Sequence, residues 1–280
     1  MSVRHTIEQM LQHKIQHDQL TLPTLPEVAL KVRQRSAEQD ISLPEMADVI
    51  SQDPAVAARM IKVANSAFMG RSIKVSTLNQ AVTRIGLSQI RNIAIAMALE
   101  QVFVSKHKLV QQQLDNLWQS SVQVAAVASA ALSYYTSHTS GTGLNKDVLT
   151  LMALVHNIGA MPVLTEAERN EKLLGDARFL INLANQLAPQ ISARILYTWG
   201  FAELFVQAAL NWRIPKPEQP GPGYTDFIRL AVLAQGKYAD ADLQQRLLNY
   251  YVQCGLIPQT DFMQHPDIQQ CYQDVRAIFN

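Results

Sequence analysis

Only two cysteines occur in 280 residues, Cys254 and Cys271, separated by sixteen positions. That spacing makes neither a metal-binding pair nor a disulfide framework, and reduced thiols in a cytoplasm are the expectation. Excess charge of one sign is also missing. Twenty-four basic and 23 acidic residues leave a net charge of +1, so the basic footprint of a dedicated nucleic-acid binder is absent. No uninterrupted apolar run is long enough to span a bilayer, and "MSVRHTIEQMLQHK" lacks the apolar centre of a signal peptide. A soluble, cytoplasmic chain with no membrane contact is therefore expected. No glycine-rich phosphate loop and no nucleophile-elbow pattern around Ser120 or Ser121 is found. Charged residues make up only 17% of the chain against 48% hydrophobic. So low a charged fraction predicts extensive burial, within the chain or against a second copy.

What is present is helical periodicity nearly throughout. Ile7, Met10, Leu11 and Ile15 recur at helical spacing. Three later segments open with the same device, a proline in the first turn: "LPEVALKV", starting after Thr24 with Pro26 inside the turn, "SLPEMADVISQ" with Ser42 as N-cap, and "DPAVAARMIKVAN" with Asp53 as N-cap. Ser76 is the expected cap of "TLNQAVTRI", which Gly86 ends. The stretch "LWQSSVQVAAVASAALSYY" is rich in small residues that let neighbouring helices approach. "LMALVHNIGAMPVL" places His156 and Asn157 on an apolar helix. Residues 215–224 hold four prolines and two glycines and break the pattern, making a linker. Three more helical segments follow. No alternating strand pattern of useful length is visible, so an all-α, multi-helix bundle is expected.

The ordered set "LPTLPEVALKV", "ISQDPAVAARMIKVANSAFMG" and "STLNQAVTRIGLSQIRNIAIA" closely resembles the HDOD domain, a helical signalling-output relative of the HD phosphohydrolases. The resemblance runs from about Leu20 to about Arg213. It implies a bundle of the HD-domain, phosphodiesterase-like type. It divides the chain into an N-terminal helix (1–19), the HDOD domain (20–214, with 20–110 an N-terminal helical part and 111–214 a degenerate HD-like core), the linker (215–224) and C-terminal helices that complete or cap the bundle (225–280).

In HD enzymes, as the resemblance implies, a His, a His-Asp pair and a later Asp hold a metal that activates water. Aligned here, the first ligand falls on Ser120, the pair on His156 and Asn157, and the last on Gln235. A family His falls near Ala188 or Pro189, and a His-His pair near Trp212 and Arg213. No His lies between His156 and His265, so a shift of register does not restore the set. One imidazole and an amide oxygen cannot hold a divalent ion with useful affinity. The resemblance therefore implies a non-catalytic regulatory module of bacterial signal transduction, with no cofactor, no metal and no catalytic residue, acting on other signalling proteins. A metal-dependent phosphohydrolase is the competing reading. It would need ligands such as Asp147, Glu166 or Glu168. A third reading keeps Ser120, His156, Asn157 and Gln235 as a vestigial pocket for a small polar, nucleotide-like ligand. A partner-facing loop is expected at Asn65, Ser66, Phe68, Arg71 and Lys74, although core packing of Phe68 explains that residue equally well. Core packing is likewise expected of Trp118, Trp199 and Trp212.

Overall fold

The computed structural model describes the chain apart from residues 1–2, 18, 39, 66–73, 170–176, 216–220, 237–239 and 280. Among the described residues there is no strand; the architecture is all-α, as the periodicity predicts. The helices run α1 (Val3–Gln16), α2 (Glu27–Arg35), α3 (Leu43–Ser51), α4 (Pro54–Ala64), α5 (Leu78–Ile85), α6 (Leu87–Glu100), α7 (Lys108–His138), α8 (Lys146–Val155), α9 (Ala160–Glu166), α10 (Ala177–Thr198), α11 (Glu203–Asn211), α12 (Tyr224–Ala234), α13 (Ala241–Gln253) and α14 (Pro266–Phe279).

Local sequence sets the helix starts. Ser42 accepts the Glu45 N–H while the Glu45 carboxylate accepts the Ser42 N–H, a reciprocal capping box that saves two orphan donors of α3. Asp53 accepts from the Ala55 and Val56 N–H groups, with Pro54 at the first position of α4. The cap of α5 is Thr77 rather than Ser76, because Gln80 stands three residues after Thr77 and completes its box. Pro26, expected inside the first turn of α2, stands instead at its N-cap, and the helix begins at Glu27. Gly86, at φ 88°, ends α5 and opens α6 in one residue, a conformation that side chains with a Cβ resist. Arg84 donates to the carbonyl of Ala64 at the end of α4.

The chain forms two compact units. The first gathers Met1–Thr24, Val102–Ser121 and Leu154–Ile214. Within it α10 is the central helix, with α1, α9 and α11 packed on it. Trp199 donates from its ring N–H to the carbonyl of Pro23 at 3.0 Å, and Phe103 and Trp118 lie with ring centroids 5.3 Å apart. The second unit gathers Leu25–Gln101, Val122–Ala153 and Pro215–Asn280. Its N-terminal part is a cluster of α2 to α6. The small-residue half of α7, where Ala125, Ala126, Ala128, Ala130 and Ala131 are buried, belongs to this unit too. All three tryptophans are buried. One apolar stretch, Lys146–Glu166, has the length and hydropathy to cross a membrane, but 83% of it is buried inside the fold, as a core segment would be.

Candidate functional site

Helix α8 stops at Val155, so His156 and Asn157 lie in the turn that joins it to α9 rather than on the helix expected from the apolar pattern. Both are buried. The turn is pressed against α10. A Cβ on Gly159 would lie 2.4 Å from both the Ala188 carbonyl oxygen and the Ser192 nitrogen, so only glycine fits. The Gly159 N–H donates to Ser192 Oγ at 2.8 Å, satisfying a buried donor that the turn cannot pair by itself.

An indole meets His156, and a pair of amides meets its neighbour Asn157. The Trp212 ring meets the imidazole edge to face, with centroids 4.9 Å apart and planes at 83°. Asn157 Nδ2 donates to Asn185 Oδ1 on α10 at 3.4 Å. Two buried atoms here have no protein partner: Asn157 Oδ1, an acceptor, and Trp212 Nε1, a donor.

Arg213 owes its place to Pro189. Pro189 lies in the middle of α10. Proline has no N–H, so the Asn185 carbonyl one turn earlier loses its helical donor. Arg213 Nη1 donates to that carbonyl, and the guanidinium carbon lies 5.2 Å from the Trp212 ring centroid. Arg213 is exposed, so its charge lies at the surface next to Trp212.

Ser120 is half-buried on the part of α7 that belongs to the same unit as His156. Gln235 ends α12 in the second unit, as does Asp147 at the start of α8. Glu166 is ion-paired to Lys14, and Glu168 accepts from Ser105 Oγ. Among the described residues no group of three or more His, Cys, Asp or Glu side chains is placed to hold a metal ion. The donor set at the His156 turn does not fit the divalent centre of the HD enzymes.

Of the expected partner-facing loop, Ser66, Phe68 and Arg71 lie outside the described residues. Asn65, although exposed, is tied to its own chain: its amide donates to the Val75 carbonyl and accepts from the Val75 N–H, both at 2.8 Å, as a paired backbone would. Lys74 is exposed.

The periodicity did not single out Asp226 or Arg229. Both are buried in α12, with Asp226 Oδ1 accepting from Arg229 at 3.0 Å and from the Tyr251 hydroxyl at 3.2 Å. The i, i+3 spacing of Asp226 and Arg229 was the available signal; Tyr251, 25 residues on, gave none.

The site thus consists of a buried His-Asn turn pressed against the long helix α10 of an all-α fold. The HDOD domain matches residues 22–215, and the chain belongs to that family. It is similar, at 37% identity over 100% of both chains and a TM-score of 0.92, to a solved structure from Shewanella amazonensis provisionally named a metal-dependent phosphohydrolase. A solved HDOD protein of unknown function from Geobacter sulfurreducens shares the fold at 17% identity and a TM-score of 0.65, covering 98% of this chain and 96% of that one. An uncharacterised Treponema pallidum protein is 25% identical over 196 residues, 70% of this chain. The chain spans 36% of that curated relative's length.

Proposed function

We propose that this chain is a non-catalytic HDOD module of bacterial signal transduction that works by binding other signalling proteins. The observation that carries the reading is the chemistry of the His156 turn: an indole against the imidazole and the paired amides of Asn157 and Asn185, where hydrolysis would need carboxylates and further imidazoles. Asn157 has no charge to bind a hard cation and no basicity to activate water.

The test is hydrolysis of bis-(p-nitrophenyl) phosphate and of cyclic dinucleotides by untagged protein supplied with Mn²⁺, Fe²⁺ or Zn²⁺. No turnover above buffer is expected. Turnover that disappears in His156→Ala would establish the phosphohydrolase reading and end this one.

A second reading draws on the two buried atoms without protein partners. Asn157 Oδ1 and Trp212 Nε1 offer one acceptor and one donor, and buried polar groups are nearly always paired. A small polar molecule, or a water, bridging them supports a sensor role for the His156 turn. Protection of Trp212 fluorescence from quenching by an added nucleotide, lost in Asn157→Leu, would favour it.

A further inference from the structure

We propose that His13 and His17 form a binding site for one divalent transition-metal ion at the end of α1, of the class Zn²⁺, Ni²⁺ or Cu²⁺. The site is separate from the His156 turn and independent of the reading above.

The two histidines are four residues apart, and the structure stacks them on one face. Their ring centroids are 4.1 Å apart, with the planes tilted by 52°. His17 follows the last residue of α1, yet its N–H still donates to the His13 carbonyl at 3.0 Å. The helical turn therefore extends through both residues and fixes their spacing. The N–H of Gln19 then closes the end on the Lys14 carbonyl at 2.8 Å. Side chains at i and i+4 are neighbours on a helix, which is why a His pair at this spacing can reach one ion. Imidazole nitrogen binds zinc at about 2.0–2.1 Å, and centroids this close need only a small rotation of the two exposed rings to meet one ion.

Both side chains are exposed, so the rings can turn and water can fill the remaining coordination positions. The end of a helix carries partial negative charge from its unpaired carbonyls, which favours a cation there. The one neighbouring cationic side chain in the turn, Lys14, points to Glu166 and is neutralised by it. With two protein ligands the site is a weak one, and the affinity order is Cu²⁺ above Ni²⁺ and Zn²⁺.

The position gives the ion something to act on. The same turn carries the anchors of α1 to α10: Arg194 donates to the Ile15 carbonyl at 3.2 Å, and Lys14 pairs with Glu166. A bound ion stiffens the turn that holds these contacts. Metal then binds this protein without any of the ligands of the HD enzymes, and metal recovered with purified protein would not by itself mark a hydrolytic centre.

The experiment is calorimetric titration of the untagged full chain with ZnCl₂ and CuCl₂ at pH 7.5, for the wild type, His13→Ala, His17→Ala and His13→Gln. Dissociation constants of about 1–100 μM at one ion per chain are expected for the wild type, weakening at least tenfold in each variant. Acid should weaken binding as well, because protons compete for the same nitrogens. Hydrogen exchange of the α1 amides should slow when the ion is added to the wild type and not when it is added to His13→Gln. No binding tighter than 1 mM would overturn the proposal. So would wild-type binding that survives within twofold in both single variants, since the ion would then sit elsewhere. Circular dichroism melts of the variants show whether α1 stays folded; a variant that has lost its melt is replaced by His17→Gln.

Discussion

Gly159 and Ser192 are joined backbone to side chain at 2.8 Å across the contact between the His156 turn and α10. No side chain separates the two backbones there. Gly159→Ala should therefore destabilise the protein by about 2–4 kcal/mol, because a Cβ at 2.4 Å from two backbone atoms forces the turn away from the helix. Ser192→Ala removes only the acceptor and should cost about 1–2 kcal/mol. Urea denaturation of both variants measures the difference; equal losses would mean that the close approach is not what constrains the site.

Asn157→Asp tests the amide at the turn. The substitution loses the donor to Asn185 and buries a carboxylate. Burial raises the folded pKa of such a group above its unfolded value. The native state then holds the proton better, so stability falls as pH rises from about 4 through the folded value. The variant should lie about 2–3 kcal/mol below the wild type at pH 7 and about 1 kcal/mol below it at pH 4. A gap that does not change with pH would contradict this.

Asp147 carries the same sign in the natural protein. Burial pushes its carboxyl above the ordinary aspartate range, and Lys146 and Arg91 pull it only part of the way back. It shares with Asn92 a cavity of about 20 Å³ walled by Val275, Ile278 and Phe279, room for about one water. The native state favours the protonated form, so this group costs stability as pH rises above about 4. Asp147→Asn should match the wild-type melting temperature at pH 3.5 and exceed it at pH 7. The reverse order would show that the Asp147 charge is stabilised.

The α12 network should be the costliest side-chain loss in the second unit. Asp226→Ala leaves Arg229 charged and buried and should cost about 3–5 kcal/mol. Tyr251→Phe removes one hydrogen bond and should cost about 1 kcal/mol.

Pro189 and Arg213 should be energetically coupled. In the wild type, Arg213→Ala leaves the Asn185 carbonyl without its protein donor, a loss of about 1 kcal/mol. In Pro189→Ala the restored helical N–H takes that carbonyl, and the Arg213 loss should nearly vanish. A double-mutant cycle should return about 1 kcal/mol of coupling; additive losses would separate the two residues.

The sequence made the helical class plain, together with the caps Ser42 and Asp53 and the break at Gly86, because each depends on residues within four positions. It pointed to His156 and Asn157 by resemblance but put them on a helix. An apolar run carries no mark of where its hydrogen-bond ladder ends, and Gly159 acquires meaning only once α10 is beside it. Pro189 carries no sign of what takes the place of its missing N–H; the compensating donor, Arg213, comes from 24 residues away. The Asn65 clasp on Val75 and the Asp226–Tyr251 bond are of the same kind. Partners that are remote in sequence leave no period to read.

The carbonyl freed by Pro189 also bears on which substitutions this chain tolerates. Replacing Arg213 by a neutral side chain is costly while Pro189 is present, because the Asn185 carbonyl then loses its donor. It becomes cheap once an N–H stands at 189. The order in which the two positions change therefore decides whether the route between them passes through a weakened protein.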